Sequence, residues 1–307
     1  MAFPFCANSL GESPSAFHSA AMKICALTMA YKDHWALSQW FRHYSQYLGA
    51  ENLYVVSHGG DPRIQEICPG ASVLTIPRDR LQGFDHWRGR MLNGFQQGLL
   101  EIYDWVIRSD ADELICLDPN RWTSLPEMLQ AQEAPALFAL GFNLFDFSWP
   151  TASSPQESVF DRTHDAVFTG HYSKAWAVRR PIGLRRHGVQ LRPARLADFP
   201  FVMPRGVYLA HLKFADTTAL TAMTEVRKEV GNAKGPGLPG KAWQQADQEA
   251  ADKISEARAL PHLPWEEAEK TAWDGLQTPV RDEGKSVLRS KSLRFQFRTT
   301  LPRWFGS

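Results

Sequence analysis

The chain has 307 residues, of which 44% are hydrophobic and 22% charged, and its formal net charge is +1. That length holds one large domain with appendages or two domains, and those fractions suit an ordinary globular fold. A charge so near zero argues against nucleic acid as a partner, and no apolar run nears the roughly 18 residues of a membrane span.

Residues 1–22 read as a loose leader without a basic n-region or a long apolar core, so not as a secretion signal. The apolar run at 23–29 predicts a buried strand. Asp33 then offers a helix N-cap, and Leu37, Trp40, Phe41, Tyr44 and Leu48 recur at helical spacing up to Gly49. A second strand is expected at 52–57 and a third at 72–76, with Gly59-Gly60-Asp61-Pro62 breaking the chain between them. Leu92, Phe95, Leu99 and Ile102 mark a second helix, and Trp105, Val106 and Ile107 a fourth strand. Strands alternating with helices predict an α/β fold with a mainly parallel sheet. The cysteines form no C-x-x-C pair; Cys25 and Cys116 fall in apolar runs, as buried thiols of a reduced, cytoplasmic protein would.

The second half is less regular. Strands are expected within 138–147, 172–178 and 206–214, and helices around 220–230 and 243–257, separated by the Gly-Pro loop at 235–240. Trp149, Trp176 and Trp243 fit either sugar stacking or core packing. The division expected is a leader at 1–22, a main domain at 23–217, and a helical extension with a basic tail at 218–307.

In open α/β sheets ligands sit beyond the carboxyl ends of the strands. Those ends carry Tyr31, Lys32 and Asp33, then Ser57, His58 and Asp61, and finally Arg108-Ser109-Asp110-Ala111-Asp112-Glu113-Leu114-Ile115. Two aspartates at i and i+2 leaving a buried strand can point to one side, and their hard oxygens suit Mn²⁺ or Mg²⁺. Such an ion could bridge a diphosphate as a sugar–phosphate bond breaks. The competing reading is an acidic turn in water.

The stretch 24–119 resembles glycosyltransferase family 2, in particular its branch related to family 92. The resemblance is carried by Trp40-Phe41-Arg42-His43 through Leu48-Gly49, by Leu53-Tyr54-Val55-Val56-Ser57-His58-Gly59-Gly60-Asp61, and by Asp110-Ala111-Asp112-Glu113-Leu114-Ile115. Lys174-Ala175-Trp176, His187-Gly188 and His211-Leu212-Lys213 match more loosely. The resemblance implies a GT-A (Rossmann-like nucleotide-binding) fold, a nucleotide-sugar donor, a glycan or lipid-linked acceptor and a divalent metal at Asp110 and Asp112. His211 stands where such a fold can complete the metal site, or else as a packed residue. Lys213, two residues on, could reach a phosphate. Tyr31, Asp33 and Asp61 stand where the nucleotide binds, although Asp33 and Asp61 serve equally as cap and turn residues. Arg78, Arg80, Arg88 and Arg90 cluster between the third strand and the second helix, where one could bind the diphosphate and the rest form a solvated basic face; Arg90 lies in the family's segment ahead of the acidic motif. The chain departs from the family in Tyr31-Lys32-Asp33-His34 and in Phe142-Asn143-Leu144-Phe145-Asp146-Phe147. The catalytic base therefore falls among Asp146, Asp161 and Asp165, with Asp146 and then Asp165 to the fore.

From Lys285 to the end the chain is basic, with Leu293, Phe295, Phe297, Trp304 and Phe305 interleaved. Such a tail suits contact with an anionic membrane from the cytoplasmic side, a partner-binding arm, or a frayed end. Against transfer of a sugar stand two other readings: a phosphohydrolase using the Asp-x-Asp turn, and a non-catalytic sugar- or nucleotide-binding relic. The hydrolase class places its nucleophile on the first strand, which here ends in Met29-Ala30-Tyr31.

Overall fold

The computed structural model describes residues 22–79, 81–147, 157–233 and 241–306. Arg80, Trp149, the Gly-Pro loop and nearly all of the expected leader lie outside them. The first half runs β1 (Ile24–Ala30), α1 (His34–Leu48), β2 (Leu53–His58), α2 (Pro62–Ile67), β3 (Ser72–Ile76), α3 (Phe84–Leu99), β4 (Trp105–Arg108), β5 (Glu113–Leu117) and α4 (Leu125–Gln130). There follow β6 (Ala136–Phe138), β7 (Leu140–Phe145), β8 (Asp165–Phe168), β9 (Ala175–Val178), β10 (Gly183–Arg185), β11 (Gly188–Gln190), α5 (Pro193–Leu196) and β12 (Val207–Phe214). The last part holds α6 (Thr217–Gly231), α7 (Lys241–Gln244), α8 (Ala246–Ala259), α9 (Trp265–Leu276), β13 (Val280–Asp282), β14 (Val287–Arg289) and β15 (Thr299–Thr300).

The fold is α/β. Its main sheet has the order β3-β2-β1-β4-β9-β6; β3, β2, β1 and β4 are mutually parallel, and β9 and β6 close the edge antiparallel. Every residue of β1 is buried, as a central strand covered on both faces requires. Successive strands run outward from β1 to one side as β2 and β3, and β4 lies on the other. The chain order therefore reverses between β1 and β4, which is where such sheets open a crevice at their carboxyl ends.

A second sheet, β15-β8-β7-β12-β5, grows out of the first. The apolar run at 138–147 serves both: β6 belongs to the main sheet and, one residue later, β7 to the second. A third, β10-β11-β14-β13, is antiparallel. Trp40, Trp105 and Trp176 are fully buried, so Trp176 serves packing. Cys25, Cys68 and Cys116 are free, buried thiols.

The C-terminal part holds the expected helices, α6 to α9, and adds strands to them. After α9, the chain returns as β13 and β14 beside β11, and β15 pairs with β8. The tail's aromatics are structural: Phe297 and Phe305 lie in the main core, Phe295 packs against it, and Phe305 meets the rings of Phe142, Phe160 and Trp265. A Cβ at Gly170 would overlap the Lys291 carbonyl, so this glycine lets the tail pass. What the tail leaves outward is Leu293, 38% exposed, among its cations. No helix among the described residues is long and apolar enough to cross a membrane.

Candidate active site

The acidic turn joins two sheets. Arg108 ends β4 in the main sheet and Glu113 begins β5 in the second, with Asp110 and Asp112 between them. Helix α1 fixes this turn from behind with one face, because residues three and four apart share a side of a helix. Trp40 donates its indole N–H to Ser109 Oγ (2.9 Å), His43 Nε2 donates to the Ile115 carbonyl (2.8 Å), and the Tyr44 hydroxyl accepts from the Ile115 N–H (3.2 Å). The turn also closes on itself: the Asp110 N–H donates to Glu113 Oε2 (3.0 Å) and the Glu113 N–H to the Asp110 carbonyl (3.1 Å). Carboxylate oxygens of Asp110, Asp112 and Glu113 thereby lie within 4.8 Å of one another.

Three like charges so close need cations. Lys174 supplies one, its Nζ 2.7 Å from Glu113 Oε1 and 3.4 Å from Asp110 Oδ2; Arg88 pairs with Asp110 Oδ1. Burial works to raise Asp110, but Arg88 and Lys174 outweigh it and hold its carboxyl well below the usual range. Glu113, fully buried, is pushed up to about 7 by desolvation, with Lys174 pulling the other way. Lys174 itself is lowered by burial yet raised overall by Asp110 and Glu113, so it stays an ammonium.

Asp112 faces His211. Strand register sets the pair: His211 on β12 lies opposite Glu113 on β5 and opposite Asn143 on β7. Asn143 Oδ1 lies 2.7 Å from His211 Nδ1 and accepts a hydrogen bond from its N–H. Nε2 then faces Asp112 Oδ2 at 3.3 Å. A hydrogen bond from a protonated ring or a cation shared by both atoms satisfies that spacing. Burial, ahead of the opposing pull of Asp112, keeps the imidazole's pKa below its ordinary value. Tyr172 stacks on the His211 ring, centroids 3.6 Å apart, and this close approach needs Gly141, where a Cβ would strike the Tyr172 backbone.

The two sides of the turn differ in space. On the Asp110 side lies a cleft of about 950 Å³ between α3 and the β10–β11 hairpin. Arg88, Arg90, Arg108, Lys174, Arg185 and Arg186 wall it, against the carboxylates of Asp85 and Asp110. On the Asp112 side, at the crevice between β1 and β4, a hollow of about 10 Å³ remains under α6, walled in part by Asp33, Lys213 and Arg227. Desolvation, then the charge of Asp112, pushes Asp33 up to about 7.

The expected site residues divide accordingly. Asp110, Asp112 and His211 come together, and Arg90 joins the cleft wall, though Arg88 is the arginine that meets Asp110. Tyr31, Asp33, Asp61 and Lys213 are not among the described residues that line the cleft. The Tyr31 ring lies 3.4 Å beneath the Arg78 guanidinium. Asp61 caps α2 through the Arg63 N–H and takes His34 Nε2 at 2.7 Å. Lys213 is held by Glu249 at 2.7 Å. Asp165 pairs with Arg298 (2.8 Å), and Asp146 is buried at the end of β7, three residues past Asn143. Sequence reasoning grouped Arg88 with Arg78, Arg80 and Arg90 as candidates to bind a diphosphate, gave Arg227 to the water-facing side of a helix and assigned Lys174 no role. Lys174 had a pointer in the loose match of Lys174-Ala175-Trp176.

No family model matches the chain, and no curated protein matches it. Among solved structures it is similar to mannose-1-phosphate geranyltransferase from Thermus thermophilus, at 13% identity and TM-score 0.30 over 91% of this chain and 74% of that one. It is also similar to CMP:2-keto-3-deoxy-manno-octonic acid synthetase complexed with CTP, at 12% identity and TM-score 0.28 over 75% and 86%. A third is the mannosyltransferase Ktr4p from S. cerevisiae, at 13% identity and TM-score 0.25 over 41% and 40%. At such scores the chemistry has to be read from this chain's own side chains.

Proposed function

We propose that the chain is a metal-dependent glycosyltransferase of the GT-A type, moving a sugar from a nucleotide-sugar donor to a glycan or lipid-linked acceptor. The observation that carries this reading is the acidic turn at the carboxyl end of β4. Its carboxylates converge, His211 Nε2 faces Asp112, and the turn opens on a cleft rich in cations. Asp110, Asp112 and His211 would hold Mn²⁺ or Mg²⁺, a donor set of hard oxygens and one imidazole that suits either ion. When bound, the ion supplies positive charge to the diphosphate as it leaves.

The acceptor hydroxyl oxygen bonds to the sugar's anomeric carbon, the bond from that carbon to the diphosphate oxygen breaks, and the nucleoside diphosphate departs. Arg88 and Lys174, already charged and fixed, face the charge that develops on it. The hydroxyl proton passes to a carboxylate. Asp146 is the one proposed, since it follows directly on β7, the strand whose Asn143 orients His211. The nucleotide is proposed to occupy the large cleft, with Arg90 on its wall; Asp33, Tyr31 and Asp61 serve it only if α6 moves off the crevice.

The test is release of free nucleoside diphosphate from a panel of nucleotide sugars. Activity should vanish in chelator, return with Mn²⁺ or Mg²⁺, and be absent in Asp110→Ala and Asp112→Ala. One observation supports a second reading: Arg88 and Lys174 already pair with the acidic turn, so they could carry the leaving group without a metal. Activity that survives chelator but is lost in Lys174→Met would select it.

A further inference from the structure

Beside the large cleft lies a smaller chamber of about 210 Å³ that no step proposed above uses. It is below the roughly 300–1,000 Å³ of pockets that enclose whole small molecules, so it suits one chemical group. His171, Arg186 and His187 line both spaces and form the partition between them. The far wall comes from the C-terminal return of the chain: Lys285, Arg289 and Ser290.

Three features mark the chamber as built for an anion. The first is charge. Asp282, the one carboxylate among the chamber's described lining residues, pairs with Lys285 at 3.1 Å and feels the charge of Arg289, but neither Arg186 nor Arg289 has a carboxylate within salt-bridge distance among the described residues. Arg289 is aimed by hydrogen bonds from Nη1 to Ser292 Oγ (2.9 Å) and the Ser290 carbonyl (3.3 Å). The second is an orphan. Ser290 is 3% exposed, and its hydroxyl has no hydrogen-bond partner among the described residues. A buried hydroxyl without a partner is disfavoured unless a ligand completes it. The third is the partition. Arg186 and His187 are the two central residues of the β10–β11 hairpin, with φ of 51° and 64°. That turn favours Asn-Gly, and a larger side chain at positive φ is strained. The chain keeps a guanidinium and an imidazole there, on the border of both spaces.

We propose that this chamber is the acceptor subsite and that it binds a phosphoryl group, so that the sugar acceptor is a phosphate ester. The inference rests on the glycosyltransferase reading: donor in the large cleft, acceptor entering past His187, its phosphate held by Arg289 and Arg186 with the Ser290 hydroxyl donating.

Calorimetric titration of the full chain with sn-glycerol 3-phosphate, inorganic phosphate and glycerol tests it, in Mg²⁺ with the tightest-binding of a panel of nucleoside diphosphates at saturation. Glycerol 3-phosphate should bind with the nucleotide present, at least as tightly as inorganic phosphate, and glycerol should not. Arg289→Gln should weaken it tenfold or more and Lys285→Gln about threefold, with nucleoside diphosphate affinity unchanged in both. Ser290→Ala should weaken it while raising the Tm, which a merely structural hydroxyl would not do. The proposal is overturned if the nucleotide displaces glycerol 3-phosphate, if both charge variants bind it normally, or if only inorganic phosphate binds. Arg289-dependent binding in a protein that takes no nucleoside diphosphate would keep the subsite and remove the donor reading instead.

Discussion

Asp110 and Asp112 are two residues apart and live in different surroundings. Asp110 opens on a cleft of about 950 Å³ and is neutralised by Arg88 and Lys174, two cations from other elements. Asp112 is closed in by His211, with Asp33 and Arg227 around a hollow of about 10 Å³. One side of the turn is accessible to a charged ligand, and the other is a fixed support in which a buried imidazole faces the carboxylate. The difference teaches that a two-residue acidic motif can separate binding from anchoring when each carboxylate leaves the backbone on its own side.

The largest expected effect breaks both sides at once. Asp110→Asn and Asp112→Asn should each lower transfer by about a thousandfold, in keeping with the several kcal/mol of charge stabilisation that a metal contributes. Their circular dichroism should match the wild type, because neither side chain belongs to the core. Equal activity of either variant and wild type would dissolve the distinction drawn here.

Removing Lys174 attacks the open side alone. Lys174→Met leaves Glu113 fully buried without its cation, a loss of about 3–5 kcal/mol when one partner of a buried pair is deleted. The sign with pH follows from Glu113, whose carboxyl is already raised to about 7 by burial. Losing Lys174 raises it further, so the penalty of ionised Glu113 grows as pH rises. Chemical denaturation should therefore find the variant much weaker than wild type at pH 8 and closer to it at pH 5.

A control behind both sides is His43, which supports β5 through Ile115. Burial lowers its pKa from 6.5 to about 4. The folded state then keeps it neutral while the unfolded chain binds a proton, so its contribution is present above pH 6.5 and is lost as pH falls towards 4. About 3 kcal/mol is at stake across that window. His43→Gln should flatten the slope of stability against pH there by about one proton, with transfer at pH 7.5 little changed. A slope as steep as wild type would mean that His43 does not titrate as its burial implies. Smallest is Arg88→Gln, which should lower kcat/KM for the donor about tenfold, near 1.4 kcal/mol. Kinetics with an alternative donor lacking the diphosphate should be insensitive to the change.

The parallel half of the fold was legible because each of β1 to β4 is an apolar run bracketed by turn residues, and the acidic turn followed from where β4 ends. In the second sheet only the long apolar runs of β7 and β12 were legible, and the third sheet was not. Strands such as β10, β11, β13 and β14 span three residues each, too few for any period to show. His211 was visible as a residue; its place against Asp112 depends on the β12–β5 register, which no local pattern encodes. Arg88 and Lys174 were two among 34 lysines and arginines, and reach Asp110 from 22 and 64 residues away. The tail's aromatics read as a membrane face because their partners, Phe142, Phe160 and Trp265, are far off in sequence.

The central claim is that the acidic turn holds a divalent ion which a nucleoside diphosphate then shares. Titration with Mn²⁺ followed by electron paramagnetic resonance tests it without any knowledge of the acceptor. The account predicts one bound Mn²⁺ per chain, bound more tightly when a nucleoside diphosphate is present, and lost in both Asp110→Asn and Asp112→Asn. Mn²⁺ that binds equally well to both variants, or that ignores every nucleoside diphosphate, would contradict it.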